Sequence, residues 1–357
     1  PPAPLTVQPT GPVQAVSAAV DHRGRDVADL VADRDNLYLD TFALGKYQGL
    51  AEDHWVELAI DPASVGGDLA NAVVIAQGWL YPTDSSINVA LGQGTGPKPQ
   101  ALSLETLDGQ GGWTVVEPFI GFPAGKGKTM LIDLGKLAEA PRDDAGLVRL
   151  RLRNSMEIYW DRLGVARRLP ADVATVTTAT LRSAVMGYHG FSMTNQYARG
   201  VQGPGAVPRS QPDTPDYNHI AATVPIWLDL AGWYTRYGPV EPLLAAVDDR
   251  YVIVNAGDEV RLAFDDVAPP ADGLVRDYVF QSDGWNKDGD FNTAYSATVH
   301  PLPSHDNPMY VDQQVYGATG ALADDPVYRA NASDWATYHT RYVTPLPVQR
   351  ALWGEDR

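Results

Sequence analysis

Leu147-Val148-Arg149-Leu150-Arg151-Leu152-Arg153 alternates apolar and cationic side chains over a whole segment. Successive side chains of an extended strand point to opposite faces, so this run buries one face and wets the other. Trp55-Val56-Glu57-Leu58 repeats the pattern. Further runs at 55–60, 71–81, 87–91, 101–107, 112–119, 128–134 and 157–166 read as strands, separated by Gly, Pro and Asp turns. Strands punctuated in this way predict an antiparallel sandwich.

The remainder of the chain extends the β reading. The 28 Pro and 33 Gly among 357 residues suit many turns between short strands. At 44% apolar the chain has enough hydrophobic surface to pack, and its length favours two domains. Tyr251–Asn255 and Glu259–Phe264, joined by Ala256-Gly257-Asp258, read as a hairpin. Val275–Trp285 reads as one more strand, and a short helix is expected near 325–342 before a Pro-broken tail. Pro at 1, 2, 4, 9 and 12 excludes helix from the first twenty residues. The expected architecture is all-β: an extended Pro-rich arm (1–20), a β-sandwich (21–168), a second β-sandwich (169–320), and a C-terminal extension (321–357). The sandwiches are expected to be of jelly-roll or immunoglobulin-like type.

A net charge of −17 without clustered Lys or Arg argues against nucleic-acid binding. It favours solubility and can steer basic partners or cations. The absence of cysteine removes disulfides, thiolate metal sites and Cys nucleophiles. No apolar run approaches the roughly 20 residues of a membrane-spanning helix. The sequence starts at Pro1, which gives the expectation of a signal peptide removed before it and of a periplasmic or extracellular location.

The order WVEL, LETLDGQGGWTVV, IGFPAGKGKTMLIDL and VRLRLRNSMEIYWDRLGV resembles a galactose-binding-like jelly roll of the discoidin type over residues 36–168. That resemblance implies that loops at one end of the sandwich hold a sugar or lipid headgroup. The stretches GDEVRLAFD and GWNKDGDFNTA, with TRYGPVEPLLAAVDDRYVIVNA and RLRNSMEIYWDRLGVA, resemble the C-terminal region of secreted bacterial ASPIC/UnbV proteins. These are the cartilage-acidic-protein type associated with FG-GAP or TPR repeats. The resemblance implies an extracytoplasmic interaction module without an assigned reaction.

Candidate sites are few. Asp283, Asn286, Asp288, Asp290 and Asn292 place oxygen-bearing side chains around a Gly turn, as a Ca²⁺ loop needs, but a bidentate Glu at the proper spacing is missing. An Asx-rich turn bonding its own backbone explains the same residues, and no cofactor other than Ca²⁺ is suggested. His300, His305 and Asp306 lack a third ligand at metal spacing, and the HExxH motif is absent. Gly92-Gln-Gly94-Thr-Gly96 runs into Pro97, so no helix can follow it to receive a pyrophosphate. Gly127-Lys128-Thr129 leads into a strand, which rejects a phosphate loop. Trp79, Tyr81, Trp113, Tyr188 and Trp285 are candidate rings for stacking on a sugar or anchoring a protein partner.

Three function classes follow. The first is a non-catalytic extracytoplasmic subunit that docks on a larger, membrane-associated protein complex through residues 1–20 and the C-terminal tail. The second is a glycan-binding module. The third is a hydrolase whose carboxylate or metal site carries no recognisable signature.

Overall fold

The computed structural model describes residues 7–96, 98–194, 208–220, 230–287, 297–300, 302 and 326–344. The chain divides into two compact units. One holds residues 6–175 with 194–215, the other residues 1–5, 176–193 and 216–357. Both are built from antiparallel strands, and the protein is all-β.

In the first unit, β1 (Gln14–Ala15), β2 (Ala18–Asp21), β3 (Leu50–Ile60), β4 (Ala72–Leu80), β5 (Ser103–Leu107), β6 (Trp113–Glu117), β7 (Lys128–Asp133), β8 (Val148–Met156) and β9 (Ile158–Arg167) form two sheets. One sheet runs β2-β3-β8-β5-β6 and the other β1-β9-β4-β7. The alternation in β8 does what its sequence predicts. Val148, Leu150 and Leu152 are buried, and Arg149, Arg151 and Arg153 lie on the outer face. The core joins Val56, Leu58 and Ile60 of β3 to Val74 and Ala76 of β4 and to Leu163 and Val165 of β9. Residues from both sheets thus share one apolar interior, the arrangement of a sandwich. β4 and β9 are apolar on almost every residue because one face meets this core and the other is covered too: Val73 and Ile75 of β4 pack with Ala166 of β9 and with Val13.

Part of the expected arm belongs to this unit. Gln14–Ala15 pairs with Gly164–Val165, and Ala18–Asp21 pairs with Val56–Ala59. Proline stops at position 12, so the residues after it can donate to a ladder. Residues 1–6 lie outside the described residues.

The run at 87–91, expected as a strand, is α-helix: α1 spans Ser85–Gln93. The Asp84 carboxylate accepts from the Ile87 amide and caps the first turn. None of the helix residues is buried, so local capping outweighs the strand preference of Ile and Val where no sheet neighbour is present. Asp84→Ala is expected to remove about 1 kcal/mol of helix stability. Hydrogen exchange of the 87–91 amides should quicken several-fold while the sheet amides stay protected.

In the second unit, β10 (Leu181–Tyr188), β11 (Ser192–Thr194), β12 (Pro215–Ile220), β13 (Gly232–Tyr234), β14 (Gly238–Pro239), β15 (Asp258–Phe264) and β16 (Arg341–Val343) form smaller sheets. Their orders are β14-β10-β15, β11-β12 and β13-β16. The expected 251–255/259–264 hairpin does not form. β15 instead pairs with β10 over Leu181–Tyr188, and residues 251–255 form no strand. The distant partner wins because it completes a core: Ala184 and Met186 of β10 pack with Val260 and Leu262 of β15. Val275–Trp285 also forms no strand. The short helix expected near 325–342 is present as α2 (Pro326–Ala330) and α3 (Ala332–Tyr338). Residues 303–325 and the tail 345–357 lie outside the described residues. Asp258, with its carboxylate sealed from water, accepts from Arg341 of β16. The Arg341 guanidinium lies 4.5 Å over the Tyr237 ring.

Candidate functional site

Glu157 stands between β8 and β9, where the chain crosses from one sheet to the other. Its amide donates to the Gly49 carbonyl at 3.0 Å, beside β3, and its carbonyl accepts from the Tyr81 amide at 3.0 Å, just past β4. The registers Leu50↔Met156 and Leu80↔Ile158 bring these strand ends to the same end of the sandwich. Gly49 is required there. Its φ is +80°, and a Cβ would meet the Thr83 amide nitrogen at 2.8 Å and the Tyr81 carbonyl at 2.9 Å.

The Glu157 side chain is fully buried, and both of its carboxylate oxygens accept hydrogen bonds. Its Oε2 accepts from the Gly49 amide at 3.1 Å, and its Oε1 from the Tyr159 hydroxyl at 2.6 Å. The Arg209 guanidinium completes the shell in a fork, Nε to Oε1 at 2.6 Å and Nη2 to Oε2 at 3.1 Å. Paired, forked hydrogen bonds of this kind are among the strongest that side chains make. The walls are aromatic. Trp79 stacks on Tyr159 with centroids 5.5 Å apart, and the Arg209 guanidinium sits 4.4 Å over the Tyr81 ring. The Trp79 indole N–H donates to the Ser210 carbonyl. Burial, and then the hydrogen bond to Glu157, push the Tyr159 phenol well above its ordinary pKa. The hydrogen bond to Glu157 leads the causes that raise Arg209. Both groups therefore keep their protons at any physiological pH.

A second polar group is buried near the same sheets. His54 of β3 stacks on Phe42 at 4.4 Å and lines a small hollow with Leu39, Thr41, Asn154 and Trp160. Its Nδ1–H donates to the Glu52 carbonyl at 2.8 Å. Burial lowers its pKa from 6.5 to about 4, so the ring is neutral at pH 7.

The aromatic residues singled out from the sequence have separate fates. Trp79 is only 3% exposed, so it is a wall of the Glu157 recess and not part of an outer face. Its ring packs with Tyr38, Phe42 and Tyr159, and burying so large an apolar surface outweighs exposing it. Tyr81 is half-buried beneath Arg209. Trp113 lies on the outer face of the five-stranded sheet, but the Arg151 guanidinium covers its ring at 3.7 Å. Arg151 also lies 4.6 Å over Trp55 and donates to Glu57, so cation, rings and carboxylate are already matched to one another. Tyr188 and Trp285, in the second unit, are more than half exposed.

Asp283 and Asn286 of the suggested Ca²⁺ loop are exposed, whereas Asp288, Asp290 and Asn292 lie outside the described residues. Among the described residues, no three His, Asp or Glu side chains gather as metal ligands. His300 is buried against Trp335 at 5.2 Å, while His305 and Asp306 lie outside the described residues. Also among the described residues, no helix is long and apolar enough to cross a membrane.

Sequence reasoning missed Glu157, Tyr159 and Arg209. Glu157 and Tyr159 read as ordinary members of a strand, and Arg209 sits in a Gly/Pro-rich stretch with no periodicity. Only the fold brings them within bonding distance. Compared with known protein families, curated proteins and solved structures, the chain matches none.

Proposed function

We propose that the chain is a non-catalytic interaction module that docks on a protein partner within a larger extracytoplasmic, membrane-associated assembly. The observation that carries this reading is the stretch 274–285. Val275 is 88% exposed and Tyr278 82%, and Leu274, Val279, Phe280 and Trp285 all keep more than half of their surface in water. Isolated apolar residues on a surface are ordinary, but six exposed ones within twelve positions are a concentration of the kind found at interfaces. Tyr278 and Trp285 among them are of the residue types that anchor protein contacts.

The ribbon does not hang loose. Phe280 meets Phe264 of β15 edge to face at 6.4 Å, and Arg276 donates to the Val267 and Ala268 carbonyls. Its surroundings are acidic: Asp265, Asp266, Asp272, Asp277 and Asp283 are all exposed. The complementary partner surface is an apolar groove with a basic rim. Such a rim speeds encounter more than it tightens the complex, so association should slow in high salt.

The test is isolation of the native complex with wild-type protein and with Val275→Ser/Tyr278→Ser, the two most exposed of the six. Wild type should retain a stoichiometric protein partner. The double variant should lose it, with at least a 10-fold weaker Kd and an unchanged melting temperature. A monodisperse wild-type monomer in native extracts, or a double variant that keeps its partner, overturns the proposal.

A further inference from the structure

We propose that the recess formed by Glu157, Gly49, Tyr159, Tyr81 and Trp79 is a recognition site for an arginine-bearing peptide segment, held by the chain's own Arg209-Ser210. The recess has the three parts such a site needs. The floor is a fully buried carboxylate with two oxygens presented to one fork-shaped cation. The wall is a Tyr81 ring, with the guanidinium carbon 4.4 Å over its centroid. The third part is an indole N–H that takes the backbone carbonyl of the residue after the arginine.

The fit is that of a ligand in a site more than of a residue in a core. Two of the carboxylate's partners, the Gly49 amide and the Tyr159 hydroxyl, belong to the sandwich itself. The remaining partner comes from a segment 52 positions away in sequence. That segment enters from the solvent side: the Arg209 side chain is 38% exposed, whereas that of Glu157 is 0% exposed. Residues 209–210 form a turn, and the Gln211 side chain donates to the Asn36 carbonyl. What Arg209-Ser210 offers the recess, one guanidinium and one carbonyl, any Arg-Xaa pair can offer. Lysine cannot replace it, because an ammonium is a point charge and cannot bridge both oxygens in plane. The recess is distinct from the 274–285 ribbon and its ligand chemistry does not depend on that docking surface.

The test vacates the site and refills it. Arg209→Ala and, separately, Arg209→Gln are titrated with acetyl-Arg-Ser-amide, with acetyl-Lys-Ser-amide as control, followed by melting temperature and Trp fluorescence. The arginyl peptide is expected to raise the melting temperature saturably and to bind at least 10-fold tighter than the lysyl peptide. Adding Glu157→Gln should abolish the response. Should neither variant fold alone, the arginyl peptide present during refolding must recover soluble protein. No saturable response, equal affinity for both peptides, a response that survives Glu157→Gln, or no recovery on refolding each overturn the assignment.

Discussion

Arg209→Met is expected to destabilise the first unit by about 3 kcal/mol, because it leaves the Glu157 carboxylate buried without its counter-charge. The converse change is expected to cost less. In Glu157→Gln the Arg209 head is already partly in water and can swing fully into it, so the main loss is weaker satisfaction of the Tyr159 hydroxyl and the Gly49 amide. That loss is about 2 kcal/mol. The asymmetry follows from burial, since the anion is inside and the cation at the mouth. Removing both partners removes the stranded charge as well. The double variant should therefore fall short of the sum by about 1–2 kcal/mol, the coupling expected of residues in contact. Urea unfolding of the four proteins at pH 7.5 measures the cycle. Equal single costs with zero coupling would mean that the pair contributes nothing beyond two independent surface groups.

What the sequence reveals of this fold divides along physical lines. The strands of the first unit were readable because a sandwich strand carries its own burial pattern, and Leu150 between Arg149 and Arg151 needs no knowledge of its neighbours. Helix α1 reads as a strand in the sequence because Ile87 and Val89 are strand-favouring residues, while the deciding Asp84 cap precedes them. The second unit was harder. Val260 could pair locally with 251–255 or distantly with β10, and only the packing of Ala184 and Met186 selects the latter. The ribbon at 275–285 has the composition of a strand, so its sequence forecast pairing, while its exposure shows that the described chain does not bury it. The Glu157 recess was the least legible part. A buried ion pair between distant residues has no spacing, and neither partner differs in sequence from an ordinary solvated charge.

The neutral, buried His54 gives the protein a pH dependence whose sign is fixed by where the ring sits. Unfolded, the imidazole titrates at its ordinary 6.5; folded, burial holds it at about 4. The folded state thus resists the proton that the unfolded state accepts. The stability this supplies is complete above pH 6.5 and is lost as pH falls towards 4. Between pH 7.5 and pH 5 the loss is about 2 kcal/mol for this one group. The groups that bear on the ring are named by the packing: His22 lies 6.0 Å away and, when charged, disfavours a second cation, whereas Glu52 and Asp53 favour it. The Glu52 and Asp53 carboxyls are held below their ordinary 4.5 and 3.8, so their own losses begin at lower pH than the upper part of the His54 window. His339, in the second unit, is also lowered by burial and adds a loss of the same sign. His54→Asn keeps a donor for the Glu52 carbonyl and cannot titrate. Its unfolding free energy should therefore change between pH 7.5 and pH 5 by about 2 kcal/mol less than that of wild type. Identical pH profiles for the two proteins would place the acid sensitivity elsewhere and would mean that water reaches His54 in the folded protein.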